Sequence, residues 1–331
     1  MIPANSGPWE PDTWRALLKT AIRSTPALLR ALQLEDAGVD IDPAFPVRVP
    51  APYLSRMQRG DANDPLLRQV LATLTERETA AGYLDDALAE QAYVRAPGLI
   101  QKYRHRALLM ASPACAVHCR YCFRRNFPYD DHAPANWQAA IATIRDDTTL
   151  TEVILSGGDP LTLPDPAFDA LFRTLGAVAH LRRLRIHTRL PVVLPQRTTA
   201  ALLTTLRGVG KPVTVVIHCN HARELDADTG HAFSLLRDAG CTLLNQAVLL
   251  RGINDSAQAQ IDLAETLFAQ GVLPYYLHLL DRVRGTHEFE VTETDGVRIL
   301  RDVHAALPGY LVPRLVRETP GAAGKNLIPM P

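Results

Sequence analysis

The chain has 331 residues, 35 lysines and arginines against 35 aspartates and glutamates, and a formal net charge of zero. That balance, with no basic tail, excludes a broad nucleic-acid footprint. No run approaches the roughly 20 uninterrupted apolar residues of a membrane span, and the opening Met1-Ile-Pro-Ala-Asn-Ser-Gly-Pro-Trp9 lacks both the basic and the apolar region of a secretory signal. The expectation is a globular cytoplasmic protein, one large α/β domain with additions or two small domains.

In chain order, residues 1–100 read as a helical layer with irregular connections. Asp12–Arg23 has apolar positions at helical spacing with Asp12 as its cap, and a second helix is expected from Asp64-Pro65, where the acid caps and the proline takes the first turn. Asp40–Pro52, rich in proline, reads as extended loop. No catalytic motif stands out here, so the region is expected to pack on the rest of the chain.

From about residue 101 to 310 the pattern becomes strand–helix alternation. Apolar, β-branched runs recur at Arg106–Ala111, Glu152–Leu155, Leu184–Ile186, Val213–Ile217, Leu243–Leu249 and Pro274–Leu280. Helical stretches separate them at Ala135–Ile144, Pro166–Leu175, Ala200–Leu206, Phe233–Ala239, Ala257–Phe268 and Val297–Ala306. A closing strand is expected at Leu311–Val316, within a tail of residues 311–331. Buried strands joined by helices imply parallel βαβ units. Six units and a closing strand predict an α/β fold of the partial (βα)6 barrel type.

Polar residues collect where each strand ends: the cysteine loop, Ser156-Gly-Gly-Asp159, His187-Thr188-Arg189, His218-Cys-Asn220-His221, Asn245-Gln246 with Arg251–Asp255, Asp281, and Glu318 with Lys325. That rim is where α/β barrels build active sites. The densest cluster is Cys115-x3-Cys119-x2-Cys122, three of five cysteines within eight residues. The odd count opposes disulfides, and the crowding asks for a metal. Zinc with His118 as fourth ligand is one reading; the other is a four-iron cluster with one iron left open for chemistry. Cys219 and Cys241, in apolar runs, are expected to be buried and inert.

Other residues carry weaker signals. Gly157-Gly158 after a strand lets backbone approach a ligand, and Asp159 can meet an ammonium or hydroxyl; an ordinary strand-to-helix turn would look the same. Lys325 follows Pro320-Gly-Ala-Ala-Gly324, but the spacing and the following Asn326 exclude a phosphate loop. It is either a solvated lysine near a terminus or an imine-forming lysine for pyridoxal phosphate (PLP) on a glycine hinge. Lys102 and Arg106 could hold a phosphate, or with Arg104 form a solvated basic face. Arg124 can grip a carboxylate, while Asp281 and Glu318 can hold an ammonium; together they suit a dibasic amino acid such as lysine.

The cysteine loop, with Tyr103-x2-Arg106 before it and Phe123-Arg124-Arg125 after it, resembles the lysine 2,3-aminomutase branch of radical S-adenosylmethionine (SAM) enzymes over roughly residues 64–331. The resemblance implies a 4Fe-4S cluster on Cys115, Cys119 and Cys122, and SAM contacts from Gly157, Gly158, Asp159, His218 and Gln246. It further implies Lys325 as the PLP Schiff-base residue, with Tyr103 and Arg106 beside that cofactor. Arg124 would meet the substrate α-carboxylate, and Asp281 and Glu318 its ε-ammonium. The implied reaction is amino migration converting L-α-lysine to β-lysine, driven by an electron from a reductant protein.

Three departures qualify the resemblance. Lys102 stands where the family has arginine, and Glu318 where lysine-specific members carry aspartate. The sequence also stops six residues after Lys325, which resembles the short bacterial members that supply (R)-β-lysine to a ligase modifying elongation factor P. The competing expectations are an aminomutase for another amino acid such as glutamate, a zinc-bound interaction protein, and a fold that binds SAM and PLP without turnover.

Overall fold

A computed structural model of the chain describes residues 7–36, 38–128 and 137–329. The first residues of the opening segment, Ala135 and residue 136 of an expected helix, and the last two residues of the tail lie outside these. The N-terminal layer is helical only in part. Helix α1 (Pro11–Lys19) ends four residues earlier than expected, because Ile22 leaves to pair with Val49 through backbone bonds of 2.8 and 2.9 Å. Asp12 stands in its first turn and not at the cap, which is Glu10 without a side-chain bond. Helix α2 (Thr25–Leu32), unforeseen, starts just beyond with Pro26 in its first turn and buries Leu28, Leu29 and Leu32.

Residues 40–50 are loop, and α3 (Ala51–Leu54) is one turn. Asp64 caps as expected, accepting from Leu66 N at 2.8 Å and Leu67 N at 3.0 Å. The segment behind it remains a run of turns, not a helix. Its end is drawn off into pairing with the loop: Val39 bridges Thr73, and Asp40 N donates to Ala72 O at 3.0 Å. The expected helical layer also ends in strands, β1 (Val94–Ala96) and β2 (Leu99–Tyr103), which continue the sheet.

The alternating region follows its pattern closely: β3 (Arg106–Ser112), α4 (Trp137–Asp146), β4 (Glu152–Gly157), α5 (Asp165–Gly176), β5 (Arg183–Thr188), the single turn α6 (Leu190–Val193), α7 (Ala200–Gly208), β6 (Val213–His218), α8 (Ala227–Asp238), β7 (Cys241–Val248), α9 (Ala257–Ala269), β8 (Leu273–His278), α10 (Glu293–Ala306), β9 (Arg314–Arg317) and β10 (Asn326–Leu327). The closing strand begins later than Leu311 because Gly309–Leu311 forms a 3₁₀ turn and Pro313 has no N–H to donate. Strand β10, unforeseen, pairs antiparallel with β9 directly after Lys325.

Among the described residues the strands form one sheet in sequence order, β1 to β10. Strands β3 to β9 run parallel, with antiparallel additions at both edges. All of β4 is buried, as expected of strands covered on both faces. The helices carry Phe168 and Phe172 (α5), Phe233 (α8), Leu263 (α9) and Ile299 (α10) onto the outer face. Residues two apart on β4, β5, β7 and β8 line one inner cavity, so the sheet is curled around it. Cys219 and Cys241 are buried free thiols. No helix among the described residues is long and apolar enough to cross a membrane.

Candidate active site

The inner cavity, about 290 Å³, opens at the C-terminal rim of the parallel strands. Register places its lining in rows: Leu108, Ile154 and Arg185 lie side by side on β3, β4 and β5, and His218, Gln246 and Tyr276 on β6, β7 and β8. The polar clusters reach it unevenly. His221 accepts from Arg223 N at 3.1 Å as a cap. Asn245 clamps the backbone of Cys219 with two 3.0 Å bonds, and Arg251 and Asp255 are exposed. None of these four lines the cavity.

Cys115, Cys119 and Cys122 wall one side. Their loop is held by the N-terminal layer: Arg120 N donates to Gln69 O at 2.8 Å, and the buried Arg120 guanidinium pairs with Glu76 and donates to Phe45 O at 2.7 Å. Arg125 shares Glu76 at 2.7 Å. Burial raises the Cys115 thiol well above its ordinary value and Cys122 to about 11. His118 is turned away, its Nδ1 on Pro46 O at 2.7 Å and its ring stacked on Phe45, so it does not complete a zinc set. Among the described residues no three His, Cys, Asp or Glu donors stand together as a site for one ion. A four-iron cluster meets its thiolates at separate corners, so this wall fits such a group better than a lone ion.

The two glycines of the Gly-Gly-Asp turn answer to the cysteine loop. A Cβ on Gly158 would lie 2.4 Å from Ala114 O, and one on Gly157, at φ +117°, 2.5 Å from Ser112 O. Two backbone bonds cross this seam, Gly158 N to Ser112 O at 2.7 Å and Asp159 N to Ala114 O at 2.8 Å. Asp159 is committed as well. Its carboxylate accepts from the Thr188 hydroxyl at 2.8 Å, Arg189 N at 2.8 Å and Leu161 N at 3.0 Å. Burial pushes its pKa up to about 6 against those bonds.

A second wall of the cavity is cationic and acidic by turns. Lys325 Nζ lies 2.5 Å from Glu318 Oε2, and Lys102 Nζ 2.9 Å from Glu318 Oε1, which also accepts from the Tyr103 hydroxyl. Both lysines are largely covered, so neither belongs to a solvated face, whereas Arg104 is exposed. Burial would raise the Glu318 pKa, but Lys325 and these hydrogen bonds hold it at about 2. Asp281 shows the reverse: burial pushes it up to about 7, with Lys325 pulling it down and Glu318 and Glu90 up. Arg106 has no carboxylate partner among the described residues; its guanidinium lies 4.5 Å over the Tyr103 ring.

Arg124 joins the two walls. It grips Glu90 through both arms at 2.6 and 2.8 Å and donates to Ser156 Oγ at 2.9 Å. Glu90 belongs to the layer in which no catalytic motif was read, and it lines the cavity with Leu88 and Tyr93. His278 was also missed, although it stands two residues beyond another lining residue of its strand, Tyr276, and His187, read in the rim cluster after the third strand, was given no role. With His218 they hold Nε2 atoms that have no hydrogen-bond partner among the described residues. Burial lowers all three below their ordinary value, His218 to about 3, so the rings are neutral. Buried nitrogens without partners, a guanidinium without a carboxylate and a carboxylate that burial disfavours, all among the described residues around one cavity, fit a polar cofactor and a charged substrate.

A cavity at the rim of a parallel sheet, thiol-lined on one side and ionic on the other, belongs to the cofactor-dependent α/β enzymes. The L-lysine 2,3-aminomutase of Escherichia coli (strain K12) is 43% identical over 322 residues, 95% of this chain and 94% of that protein. The enzyme of the same name from Haemophilus influenzae is 42% identical over 96% of both chains, and that from Clostridium subterminale 34% identical over 95% of this chain and 77% of its own length. The chain belongs to the L-lysine 2,3-aminomutase family. No family model matches it. Among solved structures, a radical SAM methyltransferase from Sphaerobacter thermophilus is 19% identical with a TM-score of 0.46, over 66% of this chain and 68% of its own.

Proposed function

We propose that the chain is a radical SAM, PLP-dependent isomerase that converts L-α-lysine to β-lysine, its curled sheet serving as a partial (βα)6 barrel. One observation carries the reading: in a chain 43% identical to an L-lysine 2,3-aminomutase, the three thiols and the Lys325, Glu318 and Asp281 side chains line one cavity. A 4Fe-4S cluster with SAM supplies a carbon radical that can remove a hydrogen from an unactivated C–H bond, and PLP carries the migrating nitrogen.

The residues divide the work. Cys115, Cys119 and Cys122 hold the cluster. Gly157 and Gly158 seat the rim against the loop, Asp159 orders the turn behind it, and His218 and Gln246 contribute polar contacts to SAM. Lys325 is the amine that receives PLP, and Arg106 with Tyr103 takes its phosphate side, where the unpaired guanidinium suits a dianion. Arg124 binds the substrate α-carboxylate in competition with Glu90. Asp281, whose burial disfavours its own charge, gains a partner when an ammonium arrives, and Glu318 is the second carboxylate. A glutamate substrate would bring a third carboxylate against this pair, so the wall selects for lysine.

The neutral rings and the buried walls keep water from the radical, which needs a dry site more than an acid–base pair. We extend the reading to a reductant protein as electron source and to a ligase placing β-lysine on elongation factor P; this extension rests on the resemblance alone.

The test is turnover. Anaerobically reconstituted protein with SAM, PLP, dithionite and L-lysine is expected to yield β-lysine by mass spectrometry, and Cys122→Ala and Lys325→Ala none. An intact cluster and bound PLP with no β-lysine would overturn the substrate assignment.

A further inference from the structure

Arg189 directly follows β5, and its surroundings fix where its guanidinium goes. Asp159 accepts the Arg189 backbone N–H at 2.8 Å and the Leu190 N–H at 3.2 Å, setting the turn. The side chain is 6% exposed. Its Nη2 donates to Gln69 Oε1 at 2.6 Å, to Glu224 Oε2 at 2.8 Å and to the Tyr53 hydroxyl at 3.3 Å. Its Nη1 donates to Cys119 Sγ at 2.7 Å. Gln69 is itself held, accepting from Asn220 Nδ2 at 3.0 Å and from the Tyr121 hydroxyl at 3.3 Å. A buried arginine needs a carboxylate to balance its charge, and Glu224 supplies it. The bond to sulfur is not needed for that balance. It directs a charged donor at one cysteine of the loop.

We propose that Arg189 is a positioning residue for the iron–sulfur cluster, fixing Cys119 and making the cluster easier to reduce through its N–H···S bond. The proposal rests on the cluster reading above. On reduction the cluster gains one electron from an external donor and no proton, so negative charge accumulates on the irons and their thiolates. A donor aimed at a thiolate stabilises the more negative state, and hydrogen bonds to sulfur are among the levers that set cluster potentials. Because Glu224 cancels the long-range field of the guanidinium, the direct bond dominates. Asp159 acquires a role in the same geometry, since by holding the Arg189 N–H it places the guanidinium.

The experiment is an EPR-monitored dithionite titration of anaerobically reconstituted full-length protein, with iron and sulfide analysis. Arg189→Lys keeps a cation beside Glu224 but loses the second arm that reaches Cys119. Its reduction equilibrium is expected to fall about tenfold, equal to about 59 mV more negative for a one-electron couple. Glu224→Gln keeps the bond to Cys119 and removes the balancing carboxylate, so its potential is expected to move the other way. Both variants at the wild-type potential, or both moved in the same direction, overturn the proposal. Should Arg189→Lys fail to hold a cluster, the sign of the Glu224→Gln shift decides alone. A wild-type protein without four irons and four sulfides would instead overturn the functional reading.

Discussion

The two walls of the cavity are built on opposite principles. Behind the thiol wall most polar groups are satisfied by the protein itself: Asp159 by the turn after β5, both terminal nitrogens of Arg189 by Glu224, Gln69 and Cys119, and Arg120 by Glu76, with Arg189 Nε left without a hydrogen-bond partner among the described residues. At the amine wall Arg106 has no carboxylate partner among the described residues, Asp281 is a carboxylate that burial disfavours, and His187 and His278 hold unpartnered nitrogens. A satisfied network is rigid, whereas unsatisfied buried groups favour whatever ligand completes them. The first wall suits a group that is built in and kept, the second suits partners that must be brought to it, PLP as well as the substrate.

The largest expected effect breaks the rigid side without touching a thiol. Gly158→Ala forces a Cβ to within 2.4 Å of the Ala114 carbonyl, backbone that cannot swing aside as a side chain can. The cysteine loop is expected to shift, and iron and sulfide content after reconstitution to fall to a small fraction of wild type. An unchanged cluster in this variant would show that the thiol wall is adaptable.

Asp281→Asn tests the receptive side next. Removing one partner of a buried charge pair costs about 2–5 kcal/mol, so lysine turnover at low substrate should fall roughly 100-fold, with PLP binding preserved. The pH dependence carries the same information. Burial pushes the Asp281 pKa up to about 7, and an ammonium binds the ionised form, so lysine affinity is expected to weaken as pH falls below 7, with a proton released on binding. Calorimetry in buffers of different ionisation enthalpy measures that proton. Its persistence in Asp281→Asn would remove Asp281 from the role.

What the sequence made legible divides in a related way. The parallel strands were readable because each is a short apolar run bounded by helix signals, and β3 to β8 fall within two residues of expectation at every end. Cys115, Cys119, Cys122 and Lys325 were readable because their residue types and spacing are rare outside chemistry. Glu90 and His278 were not, and His187 and Arg189 were read only as members of a rim cluster, since the importance of these residues comes from neighbours brought close by folding: Glu90 lies 34 positions from Arg124, and Arg189 lies 70 from Cys119. The same holds for Asp64, a local helix start whose helix was undone by pairing between Val39 and Thr73.

Glu318→Asp gives the smallest effect and the sharpest test of where the two kinds of wall meet. Glu318 is a receptive-side acid that is already engaged, spanning Lys102, Tyr103 and Lys325. Shortening it by one methylene makes it unable to hold all three at once, so affinity for lysine should change by no more than about tenfold, while the acid stability changes more clearly. A carboxylate held at about 2 in the folded chain, against 4.5 ordinarily, binds more protons when unfolded. Its contribution is therefore complete above about pH 4.5 and is lost as pH falls towards 2. Glu318→Asp is expected to move the acid unfolding midpoint to higher pH, followed by circular dichroism. An unmoved midpoint with a large loss of affinity would reverse the assignment, making Glu318 a substrate carboxylate first and a partner of Lys325 second.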